Sequence, residues 1–254
     1  MSVGEQIGYL LSNYYIWFLE GLLSTVVLSV VGTIGGLFIG IFLALGSSIR
    51  VHRHDRVWTK VWKYFLIWLC RIYSTVIRGT PMMVQAMIFK FGCQMAGLNW
   101  NNVLPTAEVF NGWFWAGIVV ITFNTAAYMG EVVKSGLNGV DIGQEEGARS
   151  LGLSRMQTMF LVQLPQALKN SIPTIGNEWI VNIKDSSVLN VISVTELFYR
   201  SGQAASRTYM QMASYLIIAA IYLILTLCTN GILALAKVKM DGKKIHFGFV
   251  HAKA

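Results

Sequence analysis

Apolar residues fall along this chain in long, nearly uninterrupted runs separated by charged stretches. A bilayer core about 30 Å thick needs roughly 20 such residues per helix, so each run predicts a membrane span. The first, about 21–46, sets Gly32, Gly36 and Gly40 four apart among Val, Leu and Ile. Small residues at that spacing let two helices approach closely. The second run, about 64–91, follows a charged linker from Arg50 to Lys63 and is interrupted by Arg78-Gly-Thr-Pro81, which predicts one span with a break. The third is about 113–129 and the fifth about 212–236, the cleanest of the set. The fourth, 172–194, contains Glu178, Asn182, Lys184 and Asp185 and must face protein or water. The pattern predicts an all-α integral membrane protein of about five transmembrane helices.

Basic residues sort by side, as topology requires, since cytoplasmic loops near span ends are enriched in Lys and Arg. The Arg50–Lys63 linker, the polar segment 131–170 and the tail from Lys237 together carry fourteen. The opposite face has none in the first 18 residues, none between Gly92 and Gly112, and only Arg200 and Arg207 before the last span. The predicted layout is an extracytoplasmic segment 1–18, a membrane domain 19–237 and a basic cytoplasmic tail 238–254, with the N-terminus outside and the C-terminus inside.

Composition agrees: 54% of the 254 residues are hydrophobic and 13% charged, against roughly a quarter charged in a soluble domain. The net charge of +8 comes from clusters beside the apolar runs, the topology pattern rather than a nucleic-acid surface, so the bilayer and not nucleic acid is the expected partner. Glu5 and Glu20 without Lys or Arg in the first 20 residues lack the basic region of a cleavable signal, which predicts that the first run stays as a helix. Cys70, Cys93 and Cys228 have no C-x-x-C spacing and are expected to pack as small apolar residues; the four histidines lie in the linker and tail, so no metal site is expected.

The segment 141–165 parses into two short helices. Asp141 with Gln144 and Ser154 with Gln157 are spaced as capping boxes. Gly152 suits the left-handed residue that ends the first helix, and Pro165 is expected to end the second. This elbow resembles the EAA loop of binding-protein-dependent ABC importers: E-A-A, three residues, Gly, nine residues, Ile-x-Leu-Pro. Glu146-Gly147-Ala148 stands for E-A-A, Gly152 for the glycine and Val162-Gln-Leu164-Pro165 for the end, with Gly147 and Val162 as departures of small or apolar character. Gly147 is expected to weaken its helix by roughly 1 kcal/mol relative to Ala. Further blocks, Arg78-Gly-Thr-Pro81 with Val84-Gln85, Ala127-Tyr128 with Glu131, and Lys184-Asp-Ser-Ser187, are similar to the polar amino acid permease branch, handling solutes such as histidine, arginine and glutamine.

The resemblance implies a type I ABC importer transmembrane domain with a cytoplasmic EAA coupling elbow, docked through Glu146, Gly147, Ala148, Gly152, Leu164 and Pro165 into a dimer of ATPase subunits. It implies a second permease subunit, identical or sibling, and an extracytoplasmic solute-binding protein in a bacterial cytoplasmic membrane. No G-x-x-x-x-G-K-[ST] loop occurs, so ATP and magnesium belong to the partner ATPase and the chain is not expected to be an enzyme or to hold a cofactor. Candidate pathway residues are Arg78, Thr80, Pro81, Gln85, Glu178, Lys184 and Asp185. Thr80 can cap a helix that starts at Pro81, giving an anion-attracting end at the break, or the break is a packing kink. Lys184 and Asp185 point about 100° apart and cannot pair with each other, so they pair with neighbours such as Arg71 or Glu178, or line a wet path for a zwitterion. The rival reading is an ion-coupled secondary transporter; a membrane enzyme would need convergent nucleophile, base or metal ligands, and the spans offer no histidine and no H-E-x-x-H motif.

Overall fold

The computed structural model describes residues 1–100, 110 and 112–240, and the regular elements among them are all helices. The basic tail lies outside the described residues from 241 onward, as does most of the loop before the third predicted span. Among the described residues ten α-helices follow one another: α1 Val3–Asn13, α2 Tyr15–Ser47, α3 Val57–Gly79, α4 Met82–Met95, α5 Gly112–Asn138, α6 Ile142–Ser150, α7 Arg155–Thr158, α8 Leu164–Asp185, α9 Leu197–Thr208 and α10 Gln211–Met240. A π-helical turn, Met159–Gln163, joins α7 to α8, and a 3-10 helix, Ser186–Ile192, extends α8.

Among the described residues, three helices are long and apolar enough to cross a membrane by themselves: α2, α5 and α10. The remaining long helices, α3 and α8, sit on the second and fourth predicted runs but carry Lys60, Lys63, Arg71 and Arg78, and Lys169, Glu178, Lys184 and Asp185. Their polar faces need protein or water against them. The segment 1–18 is itself structured. Ser2 and Glu5 form a reciprocal capping box that starts α1, and Leu10 on its far side is wholly buried with Phe18, Leu197, Ala213 and Ile217.

The glycine stripe of α2 meets α5. A Cβ at Gly32 would lie 2.7 Å from Ile121, at Gly36 2.7 Å from Thr125 and at Gly40 2.6 Å from Met129, so each glycine receives one residue of a matching i, i+4 row. Any side chain on α2 there would force the helices apart. Beside this seam Asn182 of α8 donates to Thr33 of α2 (2.8 Å) and accepts from Thr125 of α5 (3.0 Å), while Trp179 donates to Ser29 (3.2 Å). Asn182 therefore faces protein, as the polar fourth run required. On the side away from the elbow, Leu28, Phe114, Ile121, Leu189, Ile192 and Val194 close a buried core that fixes the 3-10 segment.

Local expectations at the span ends need correction. Thr80 does not cap α4: its hydroxyl donates back to the Val76 carbonyl (2.8 Å), and Pro81 is the residue before the helix. Pro165 does not end the second elbow helix. It lies in the first turn of α8, directly after the π-helical turn, and the chain runs through it from α7. Cys93 is buried and Cys70 half-buried, whereas Cys228 is exposed on α10 rather than packed in the core.

Candidate coupling elbow and solute cleft

The elbow forms from its own sequence. Ser154 accepts from the Gln157 N–H (3.3 Å) and Gln157 accepts from the Ser154 N–H (2.8 Å), the reciprocal box expected there. Asp141 caps α6 by accepting from the Gly143 N–H (2.6 Å), but its reciprocal partner is missing, because the Gln144 side chain instead accepts from Gln166 (3.2 Å). Between the helices Gly152 has φ +86°, and two bonds close the turn: Gly152 N–H to Arg149 (3.0 Å) and Leu153 N–H to Ala148 (3.2 Å). That pair is a Schellman closure, which demands a left-handed residue at Gly152.

Of the residues matched to the elbow pattern, Glu146, Gly147, Gly152 and Pro165 are exposed, Ala148 is buried and Leu164 is half-buried. Nothing lies within 4 Å of a Cβ built on Gly147. Leu151, 86% exposed at the tip, and Met156 and Leu161 beside it present apolar surface to the outside. The linker braces the elbow from behind: Arg50 pairs with Glu145 (3.1 Å), Gln163 donates to the same carboxyl (3.1 Å), and the Arg155 guanidinium lies against the His52 ring. Within the linker, the Lys63 ammonium 2.7 Å from Asp55 and the His52 N–H together hold the Asp55 carboxyl below the usual carboxylate range.

A cleft of about 550 Å³ begins at the elbow end of α5 and α8, with Gly139 and Asn170 in its wall, and reaches inward to Arg78 and Glu178. Arg78 stands 3.9 Å from Glu131 and with its guanidinium 5.6 Å from the centre of the Tyr128 ring. Gly136, also in the wall, marks a close α5–α8 approach, since a Cβ there would lie 2.7 Å from the Ala167 carbonyl.

The predicted pathway residues divide accordingly. Arg78 and Glu178 line the cleft. Gln85 holds the broken span together: its amide nitrogen donates to the Ile77 carbonyl (2.8 Å), the Thr80 carbonyl (2.9 Å) and the Thr80 hydroxyl (2.8 Å), and its oxygen accepts from Asn124 (2.9 Å). Thr80 and Pro81 belong to that joint, beside the cleft rather than among the residues lining it. Lys184 is exposed and Asp185 half-buried. Among the described residues neither forms an ion pair, nor do Arg71 and Glu178, so the expected structural pairing is not made. Two acids were missed as polar partners. Glu20 pairs with buried Arg200 (2.6 Å), and wholly buried Glu196 caps α9 at the Phe198 and Tyr199 N–H groups while accepting from Tyr222 (3.0 Å). Glutamate is not among the residues that signal an N-cap in a sequence, so nothing local marked Glu196 for this role.

Comparison with known proteins places this arrangement. Residues 60–241 match the model of the binding-protein-dependent transport system inner membrane component. The chain belongs to that family. It is 36% identical over 210 residues to the arginine transport system permease protein ArtQ of Bacillus subtilis, covering 82% of this chain and 85% of the relative. It is 32% identical over 215 residues to the glutamine transport system permease protein GlnP of Escherichia coli, covering 85% and 89%. A crystal structure of an amino acid ABC transporter with histidines superposes with a TM-score of 0.75 at 32% identity, covering 90% of this chain and 96% of that one. The MetNI methionine ABC transporter, at TM-score 0.64 and 16% identity over 88% of this chain and 98% of that one, shares the fold. The family's type I importer permease architecture is the fold of this chain.

Proposed function

We propose that this chain is the membrane-spanning half of an ATP-driven importer for a polar amino acid, with the elbow docked in a separate ATPase subunit. The observation that carries this reading is the elbow's exposed tip joined to the cleft: α5 leads through Gly136 and Gly139 in the cleft wall directly into Asp141 and α6. A push on the tip would act on the wall of a polar cleft. In this reading Glu146, Gly147, Ala148, Gly152, Leu164 and Pro165 form the docking elbow, the elbow end lies in the cytoplasm of a bacterial cell and the N-terminus outside. ATP and magnesium are held by the ATPase dimer, a second permease encloses the other half of the path, and a solute-binding protein delivers the cargo.

Cleft chemistry suits a zwitterion. Arg78 offers a guanidinium that matches a carboxylate in fork geometry, while Glu131 and Glu178 offer acceptors for an ammonium group. Asp185 lies seven residues beyond Glu178 on α8, which returns it to the same face about 10 Å further along. The relatives that carry arginine and glutamine in their names support an amino acid as cargo. The test is uptake of a panel of labelled amino acids by liposomes holding the chain with its co-purifying subunits, with binding protein outside and ATP trapped inside. Uptake of one polar amino acid only when both are present supports the importer; uptake driven by an ion gradient without ATP selects the secondary transporter instead.

A further inference from the structure

The linker between α2 and α3 spends most of its cations on internal contacts. Arg50 pairs with Glu145, Lys63 with Asp55, and Lys60 donates to the Arg53 carbonyl (2.8 Å). Arg53 and Arg56 are left over: both side chains are exposed and neither makes a hydrogen bond or ion pair among the described residues. Directly after them α3 opens with Trp58, 85% exposed, and Trp62, 62% exposed, the latter stacked on Phe65 at 5.5 Å.

These aromatics head a longer stripe. Trp58, Trp62, Phe65, Leu69, Ile72 and Val76 follow three- and four-residue steps on α3, and each is exposed over half its surface. At about 100° per residue they share one face, while Lys60, Lys63, Arg71 and Arg78 fall roughly 140–160° away. The charged face turns to the linker, as Lys60 and Lys63 do, and to the cleft, as Arg78 does. The opposite face carries no charge over 18 residues, a rise of about 27 Å that matches a hydrocarbon core of about 30 Å. Such a face suits acyl chains, and its aromatic head then falls at headgroup level, where amphipathic indoles partition.

We propose that Arg53, Arg56, Trp58 and Trp62 form a binding surface for the headgroup of an anionic phospholipid at the elbow-side membrane boundary. Charge complementarity selects this occupant: two free guanidinium groups present forked donors to a phosphodiester, and cations just outside a spanning helix attract anionic lipid. The surface requires α3 to lie in the bilayer and is independent of which solute is carried, so it stands or falls apart from the importer reading.

The experiment uses the full complex in liposomes containing brominated phosphatidylglycerol or, at equal mole fraction, brominated phosphatidylcholine. The signal is tryptophan quenching in the parent minus that in a Trp58→Phe/Trp62→Phe variant. Quenching by phosphatidylglycerol at about 25-fold lower mole fraction than phosphatidylcholine is expected, about fivefold for each of the two cations. Arg53→Gln/Arg56→Gln should weaken that preference about 25-fold, taking about fivefold per cation, and Arg53→Lys/Arg56→Lys should keep most of it. Inorganic phosphate at millimolar level should not compete, which separates a lipid headgroup from free anion binding. Absence of quenching by either lipid would mean that a subunit or second copy covers this face and would overturn the proposal. Equal quenching by both lipids, unchanged by charge removal, would overturn its anionic specificity.

Discussion

Two glycines of the elbow make opposite demands, and they give the most sharply signed predictions at the residue scale. Gly152 sits at φ +86°, where an L side chain meets the following carbonyl at a cost of roughly 1–2 kcal/mol. Gly147 lies inside a helix with open space around it, where alanine gains about 0.5–1 kcal/mol. Thermal unfolding of the purified protein should therefore shift down for Gly152→Ala and up or not at all for Gly147→Ala; equal shifts would contradict the left-handed turn. Asp55 supplies a pH signature. Its carboxyl is held below 3.8 by Lys63, so the Asp55–Lys63 tie is fully present above that pH and is lost as pH falls through the lowered value. A carboxyl-labelled titration by NMR should place its midpoint below 3.8, and Lys63→Met should return it toward 3.8.

At the scale of elements, the broken second span depends on Gln85. Its amide serves two carbonyls and a hydroxyl at the gap between α3 and α4 and ties them to Asn124 of α5. Gln85→Leu removes the side-chain partner of the Ile77 and Thr80 carbonyls and of the Asn124 amide, at roughly 1–3 kcal/mol for each one left without water. The expected outcome is lower thermal stability with impaired uptake, and Gln85→Glu should recover the acceptor half only; unaltered unfolding of the leucine variant would show the joint is held by other contacts. The α5–α8 approach at Gly136 is equally tight, so Gly136→Val should separate the two walls and reduce uptake without blocking membrane insertion. The break, the α2 stripe and the elbow turn were legible because each depends on local chemistry: a proline, a row of glycines, a capping serine. The role of Gln85, the single-sided cap at Asp141 and the lack of an ion pair at Lys184 and Asp185 among the described residues were not. Each is decided by which residues from distant sequence arrive beside it, as when Asn124 arrives 39 positions after Gln85. Pro165 was misread for a related reason: proline is acceptable both after a helix and in its first turn, and only the continuation into α8 distinguishes the two.

For the whole molecule, the elbow, α5 and the cleft form one mechanical series. The tip around Leu151 and Gly152 is exposed, its rear is braced by Arg50, and its root enters the cleft wall at Gly136 and Gly139. The brace itself is an exposed ion pair worth roughly 0–1 kcal/mol, so it orients the elbow without locking it. Force arriving from an ATPase would reach Glu178 along α8, and would reach Arg78 of α3 through its contacts with Glu131 and Tyr128 of α5. The most direct test compares ATP hydrolysis and amino acid uptake in the same liposomes for the parent complex and for Glu146→Lys, which reverses a charge on the exposed elbow and leaves the cleft untouched. The account predicts a variant that inserts normally, keeps basal hydrolysis and loses binding-protein-stimulated hydrolysis together with uptake. Normal uptake by Glu146→Lys would contradict it.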